Sequence, residues 1–256
     1  MRNLVIKRFS HLAASAATLA VIACAASNAS AMDPREFIDS SLPIPADVSS
    51  TVGALLPERV AVAATLLSDA YDPNIYVNAP ATVKVTFLRE GAGYQNTLGY
   101  FTYSADNAGV HILSRQLVFP RVKGVSAGGP LNPGDTVTLR DQNGDVATFP
   151  AGTRIGFFLV ANGWNGTGVT GWDPSAPALP STSPADNANV ASGIVTTLDV
   201  LNPENSVGRP DVARHYVSLA IDGTADFLGG APYNVVGIED QRRDHGSDND
   251  FNDVMF

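Results

Sequence analysis

Cysteine is nearly missing from this chain of 256 residues: it occurs once, at Cys24. A chain cut after residue 31 would therefore carry no disulfide, and an exported domain without one needs another staple, such as bound metal ions. Charge is scarce too, at 16% of residues, and a basic surplus is lacking: 16 Lys and Arg face 25 Asp and Glu, for a net charge of −9. Nucleic acid, which needs a basic surface, is excluded as a partner. No Gly-x-Ser-x-Gly elbow, His-Glu-x-x-His helix or phosphate loop is present, so the common catalytic signatures are missing. No exact internal repeat is visible.

What is plentiful is turn chemistry and apolar residues. The chain has 23 Gly, 17 Pro and 45% hydrophobic residues. Low charge with many turn formers favours short strands over long helices, and the hydrophobic share is enough for a core.

The first 31 residues read as a signal peptide. Arg2, Lys7 and Arg8 form a basic start, and Leu12–Ala26 is an apolar run too short and Ala-rich for a stable span. Ala29-Ser30-Ala31 is a small-x-small cleavage site that leaves Met32 first. Removal takes three positive charges and no negative one, leaving about −12. The expected location is secreted or periplasmic. A competing reading takes Val21-Ile22-Ala23-Cys24 as a lipobox, which would anchor the protein to a membrane through a lipidated Cys24. The sequence through Phe256 shows no sorting motif or membrane tail.

Residues 32–79 read as a short irregular or helical arm, with a helix expected within Leu55–Leu67 and interrupted at Pro57. From residue 80 the period becomes two. Val83, Val85 and Phe87 alternate with Lys84 and Thr86. Further strands are expected at Tyr94–Tyr103, Val110–Phe119, Thr136–Arg140, Asp145–Phe149, Arg154–Ala161, Thr196–Leu201, His215–Ile221, Tyr233–Ile238 and Asp250–Phe256. Asp141-Gln-Asn-Gly144 is a hairpin turn, with Asn143 and Gly144 supplying positive φ. The expectation is an all-β fold: an antiparallel, jelly-roll-like β-sandwich over 80–256. Asn162–Asn189 is a long loop carrying Trp164 and Trp172. Those rings either stack on a sugar or fold down to cap the sandwich. His111 and His215 fall in strand patterns and read as half-buried structural residues.

The stretch 239–253 holds the candidate site. Glu239, Asp240, Asp248, Asp250, Asn252 and Asp253 crowd into fifteen positions, offset only by Arg242 and Arg243. Carboxylates this dense repel unless a hard cation sits among them. Asp248, Asp250 and Asn252 are spaced i, i+2, i+4, as in the first half of a D-x-D-x-N calcium loop. An EF-hand is excluded, because its sixth position is Asp253 rather than Gly. All-oxygen ligation favours Ca2+ over zinc. The competing explanation is turn capping, which accounts for two or three of these residues. His245 reads as a solvent-facing loop residue.

The chain resembles the family of secreted and surface bacterial domains called DUF4114. The carrying segments are Ile155–Gly163, His215–Gly223, Val236-Gly-Ile-Glu-Asp240 and Asp248-Asn-Asp-Phe-Asn-Asp-Val-Met-Phe256. Ile238 stands where the family has an aromatic, and Gly246-Ser247 where it has two glycines. The resemblance covers 80–256 and implies a fold and a calcium site, with no assigned chemistry. The reading that results is an exported, calcium-binding module of surface, matrix or adhesion type, without catalysis. A glycan or a surface protein is its further possible partner. The alternatives are a carbohydrate-binding module using the Trp164/Trp172 loop, and a glycan-directed hydrolase using the terminal carboxylates.

Overall fold

Among the residues described by the computed structural model (31–67, 72–173, 193–221 and 233–256), eleven strands build an antiparallel β-sandwich. In chain order they are β1 (Ser40–Ser41), β2 (Ile75–Tyr76), β3 (Lys84–Thr86), β4 (Asn96–Asp106), β5 (Gly109–Val122) and β6 (Asp135–Thr138). β7 (Arg154–Val160), β8 (Ile194–Thr196), β9 (Tyr216–Ile221), β10 (Tyr233–Ile238) and β11 (Val254–Met255) follow. The expected signal segment and its Cys24 lie outside the described residues.

One layer runs β2-β7-β4-β5, with β8 also on β7. The central strand β7 is the apolar run Arg154-Ile-Gly-Phe-Phe-Leu-Val160, buried on both faces as such a run requires. The opposite layer is made of β1-β6-β3 and β11-β10-β9, joined where Arg89 bridges Met255. The core between the layers draws Tyr100, Ile155, Phe157 and Leu159 from one side, and Val85, Val137, Val236, Ile238 and Val254 from the other.

A helix, α1 (Ala46–Leu55), covers the outer face of β9-β10-β11. Val48, Val52 and Leu56 recur at four-residue spacing, so they share one face and pack on Val217, Leu219 and Val235. Each such buried side chain is worth about 1.5–3 kcal/mol. The helix lies before the expected Leu55–Leu67 segment. Pro57 stops it rather than interrupting it, and only a 3-10 turn forms at Ala64–Leu67.

Other boundaries moved for local reasons. Thr196–Leu201 is not one strand: β8 ends at Thr196, and Asp199–Leu201 is a 3-10 turn. The Asn202 side chain causes the break by accepting from the Thr196 N–H at 2.6 Å and donating to its carbonyl at 2.9 Å. The expected strand Asp250–Phe256 shrinks to β11, because Asn249 and Phe251 take φ of 59° and 55° and bend the chain out of extension. In the Asp141–Gly144 turn only Gly144 has positive φ, and Asp141 instead caps the N–H groups of Asn143 and Asp145. His111 is about half exposed beside Asp106, whereas His215 is fully buried.

Candidate metal centre

The site forms where β10 ends and β11 begins. These strands pair with Ile238 opposite Val254, so the next position along sets Glu239 against Asp253. Like charges directly opposite in a sheet are destabilising. Asp240 follows, and its N–H donates to Asp253 Oδ2 at 2.8 Å. The connecting loop returns through Gly246, which has φ of 97°, to Asp248 and Asp250.

Two groups of carboxylates result, each with ligand atoms within 4.8 Å of one another: Glu239, Asp240 and Asp253, and Glu239, Asp248 and Asp250. Glu239 belongs to both. It is buried, as are Asp240 and Asp250; Asp253 is half-buried and Asp248 exposed. Burial, followed by the charges of Asp253 and Asp240, pushes the Glu239 carboxyl up to about 9, and the Ser247 hydroxyl offsets this only in part. Asp240 is raised well above the usual range by burial and by Asp253, although the Asn96 amide opposes the shift. Burial also raises Asp253 to about 6.

No donor reaches Glu239 Oε2 or Asp240 Oδ1, although both are buried. A buried, unpartnered carboxylate oxygen is costly. The two guanidiniums of the loop are engaged elsewhere. Arg242 grips Asp244 through two hydrogen bonds, of 2.7 and 3.0 Å. Arg243 donates to Asn249 Oδ1 at 2.6 Å and to the Arg214 carbonyl at 2.8 Å, and its guanidinium lies over the Phe251 ring. The donor set in both groups is carboxylate alone, with no His or Cys, and these acidic groups could hold a hard metal ion.

Distant segments hold this geometry. Asn96, at the start of β4, donates to Asp240 Oδ2 at 2.6 Å and accepts from the Asn162 N–H at 2.8 Å. The Arg59 N–H donates to Asp250 Oδ2 at 2.7 Å, and the Val62 N–H to the Asn249 carbonyl at 2.9 Å. Phe251 keeps its left-handed conformation because its ring is fully buried in the layer under α1. Gly237 allows this approach: a Cβ there would lie 2.4 Å from the Phe251 carbonyl and 2.9 Å from Leu56.

Of the six expected ligands, five carboxylates are brought together. Asn252 is buried beside them, and its Oδ1 has no donor. Its N–H and Nδ2 both donate to Asp250, at 3.1 and 2.9 Å. Its Oδ1 faces Gly91, where an added Cβ would sit 2.1 Å from it and 2.6 Å from Glu58 Oε2. His245 is exposed, as expected. Sequence reasoning missed Asn96, the Arg59 N–H and the buried pair of His215 and Glu204. The one available signal was a polar Asn opening an apolar strand.

The tryptophans fold inward. Trp164 is buried, and Trp172 is half-buried, stacked on Phe158 at 6.3 Å with the Arg115 guanidinium 4.3 Å from its ring centre. The rest of their loop, from 174 on, lies outside the described residues.

Residues 149–256 match the family described as Domain of unknown function (DUF4114), the family expected from the closing motif. The matched stretch contains both carboxylate groups and β7–β11. Strands β3–β6, which bring Val85, Leu98, Tyr100, Phe119 and Val137 among others to the sandwich core, lie before it. No curated protein and no solved structure matches the chain.

Proposed function

We propose that this protein is an exported, calcium-binding β-sandwich module of surface, matrix or adhesion type that works without catalysis. The observation that carries the reading is the apposition of Glu239, Asp240 and Asp253 across the β10–β11 register, with Glu239 and Asp240 buried and one oxygen of each without a donor. Calcium takes six to eight oxygen ligands in flexible geometry, which suits carboxylates from two separate turns supplemented by backbone carbonyls. The ion would act as a clasp, tying the last strand to β10 in a chain whose single cysteine lies in the expected leader. Export is supported by the basic, apolar and small-residue pattern of residues 1–31.

The competing readings draw less support. A sugar platform needs an open aromatic face, and Trp164 is buried while Trp172 is engaged by Phe158 and Arg115. A hydrolase needs carboxylates that a substrate can reach, and Glu239 and Asp240 are 1% and 4% exposed. Calorimetry on protein purified in chelator tests the proposal. Calcium should bind with measurable heat, and a folded protein giving none would overturn the reading. Mass spectrometry of the native N-terminus should find Met32, whereas a diacylglyceryl group on Cys24 would move the protein to a membrane.

A further inference from the structure

We infer that the site holds two cations with Glu239 shared between them, an inference that rests on the calcium reading above. The carboxylates do not form one ring. Asp240 and Asp253 approach Glu239 as one group, and Asp248 and Asp250 approach it as another. The first group comes from the strand ends and the second from the bent loop, whose left-handed Asn249 and Phe251 set it apart. Glu239 has the atoms for a shared role. Its Oε1 accepts a 3.3 Å hydrogen bond from the Gln241 N–H, and its Oε2 has no donor. Asp240 Oδ1, also buried and without a donor, stands ready in the first group.

Charge points the same way. Five carboxylates meet here, Arg242 is taken by Asp244, and Arg243, which lies near Glu239, also faces Glu204 and Asp199. One divalent ion would leave three negative charges, far more than Arg243 can match in a buried setting. Two divalent ions leave one, within what a neighbouring guanidinium can offset in part.

The two positions differ in access. The Asp240 and Asp253 side lies inside the sandwich edge, whereas the other opens to solvent through the exposed Asp248. The outer ion should therefore exchange with chelator faster than the inner one.

Native mass spectrometry of the full chain with calcium, alongside calorimetry, tests this. The wild type should carry two ions, released by chelator in two phases. Asp248→Asn changes an exposed side chain, leaves the fold intact and should leave one slowly released ion. Asp240→Asn should also leave one, released fast. A wild type saturating at one ion would overturn the two-ion arrangement and leave the calcium reading standing. A wild type with no ion would overturn both. Asp248→Asn still carrying two ions, or none, would show that the groups are not divided as inferred.

Discussion

Glu204 and Glu239 are both buried glutamates, and one imidazole touches both residues. His215 Nε2 lies 2.9 Å from Glu204 Oε1, and its Nδ1 lies 3.0 Å from the Glu239 carbonyl. Each glutamate keeps its Oε2 without a donor. Their titration diverges all the same. Burial works to raise the Glu204 carboxyl, but His215 and the Arg243 N–H at 3.1 Å outweigh it and hold the group below the usual range. Glu239 faces Asp253 and Asp240 instead, and stands near 9. Burial alone therefore does not mark a metal site here. The sign of the neighbours does: one carboxylate is already answered by the protein, and the other has to be answered by a proton or a cation.

The largest expected effect comes from removing the answer that Glu204 already has. His215→Ala leaves a buried carboxylate short of its partner, which costs about 3 kcal/mol or more. For a domain of this size that lowers the melting temperature by roughly 6–12 °C. Calorimetry should find a similar loss with and without calcium, and an unchanged melting temperature would erase the contrast between the two glutamates.

Next in size is the effect of calcium on the wild type. At about a hundredfold excess over Kd, one bound ion adds roughly 2.7 kcal/mol, which is several degrees. Glu239→Gln should remove that gain while raising the melting temperature of the metal-free protein, since folding no longer has to force a proton onto a carboxylate that burial, Asp253 and Asp240 disfavour. Thermal scans of both proteins, with calcium and with chelator, decide the matter. A wild type unmoved by calcium within about a degree would break the clasp.

The remaining effect is in pH, where the sign is diagnostic. Glu239 titrates near 4.5 when exposed and near 9 in the fold, so the folded protein binds protons more tightly. Stability from this group is fully present below about 4.5 and is lost as pH rises towards 9. Glu204 is shifted the other way, so its contribution is lost only as pH falls below the ordinary carboxylate range. Between pH 5 and 8 the metal-free protein should therefore lose melting temperature as pH rises. Calcium should cancel the slope, because metal displaces the same protons. A rising melting temperature in chelator across that range would contradict the assignment.

Much of the sandwich is legible because its strands carry a period of two or a closed apolar run. Tyr233–Ile238 is found where the alternation put it, and Arg154–Val160 is central as its apolar residues require. The site was half legible. Carboxylate density marks the loop, but the opposition of Glu239 and Asp253 follows from a pairing register that no local pattern states. The supporting groups come from far away in sequence: Asn96 reaches across 144 positions to Asp240. A backbone N–H such as that of Arg59 leaves no trace in residue type at all. His215 looked half-buried because its neighbours alternate; its full burial depends on Glu204, which comes from a separate short helix, Pro203–Ser206.

The bond from the Arg59 N–H to Asp250 also bears on the order in which the chain can assemble. Its two ends lie 191 positions apart. During synthesis the segment around Arg59 emerges first and waits for its partner until the 191 positions between them have been made. α1 waits with it, since Leu219, Val235 and Phe251 form the surface it covers. Contacts of such long sequence separation carry the closure entropy of the whole intervening loop and form slowly. The arm and the acidic loop are thus expected to meet late, and until they do, the apolar face of α1 stays open to chaperones and proteases.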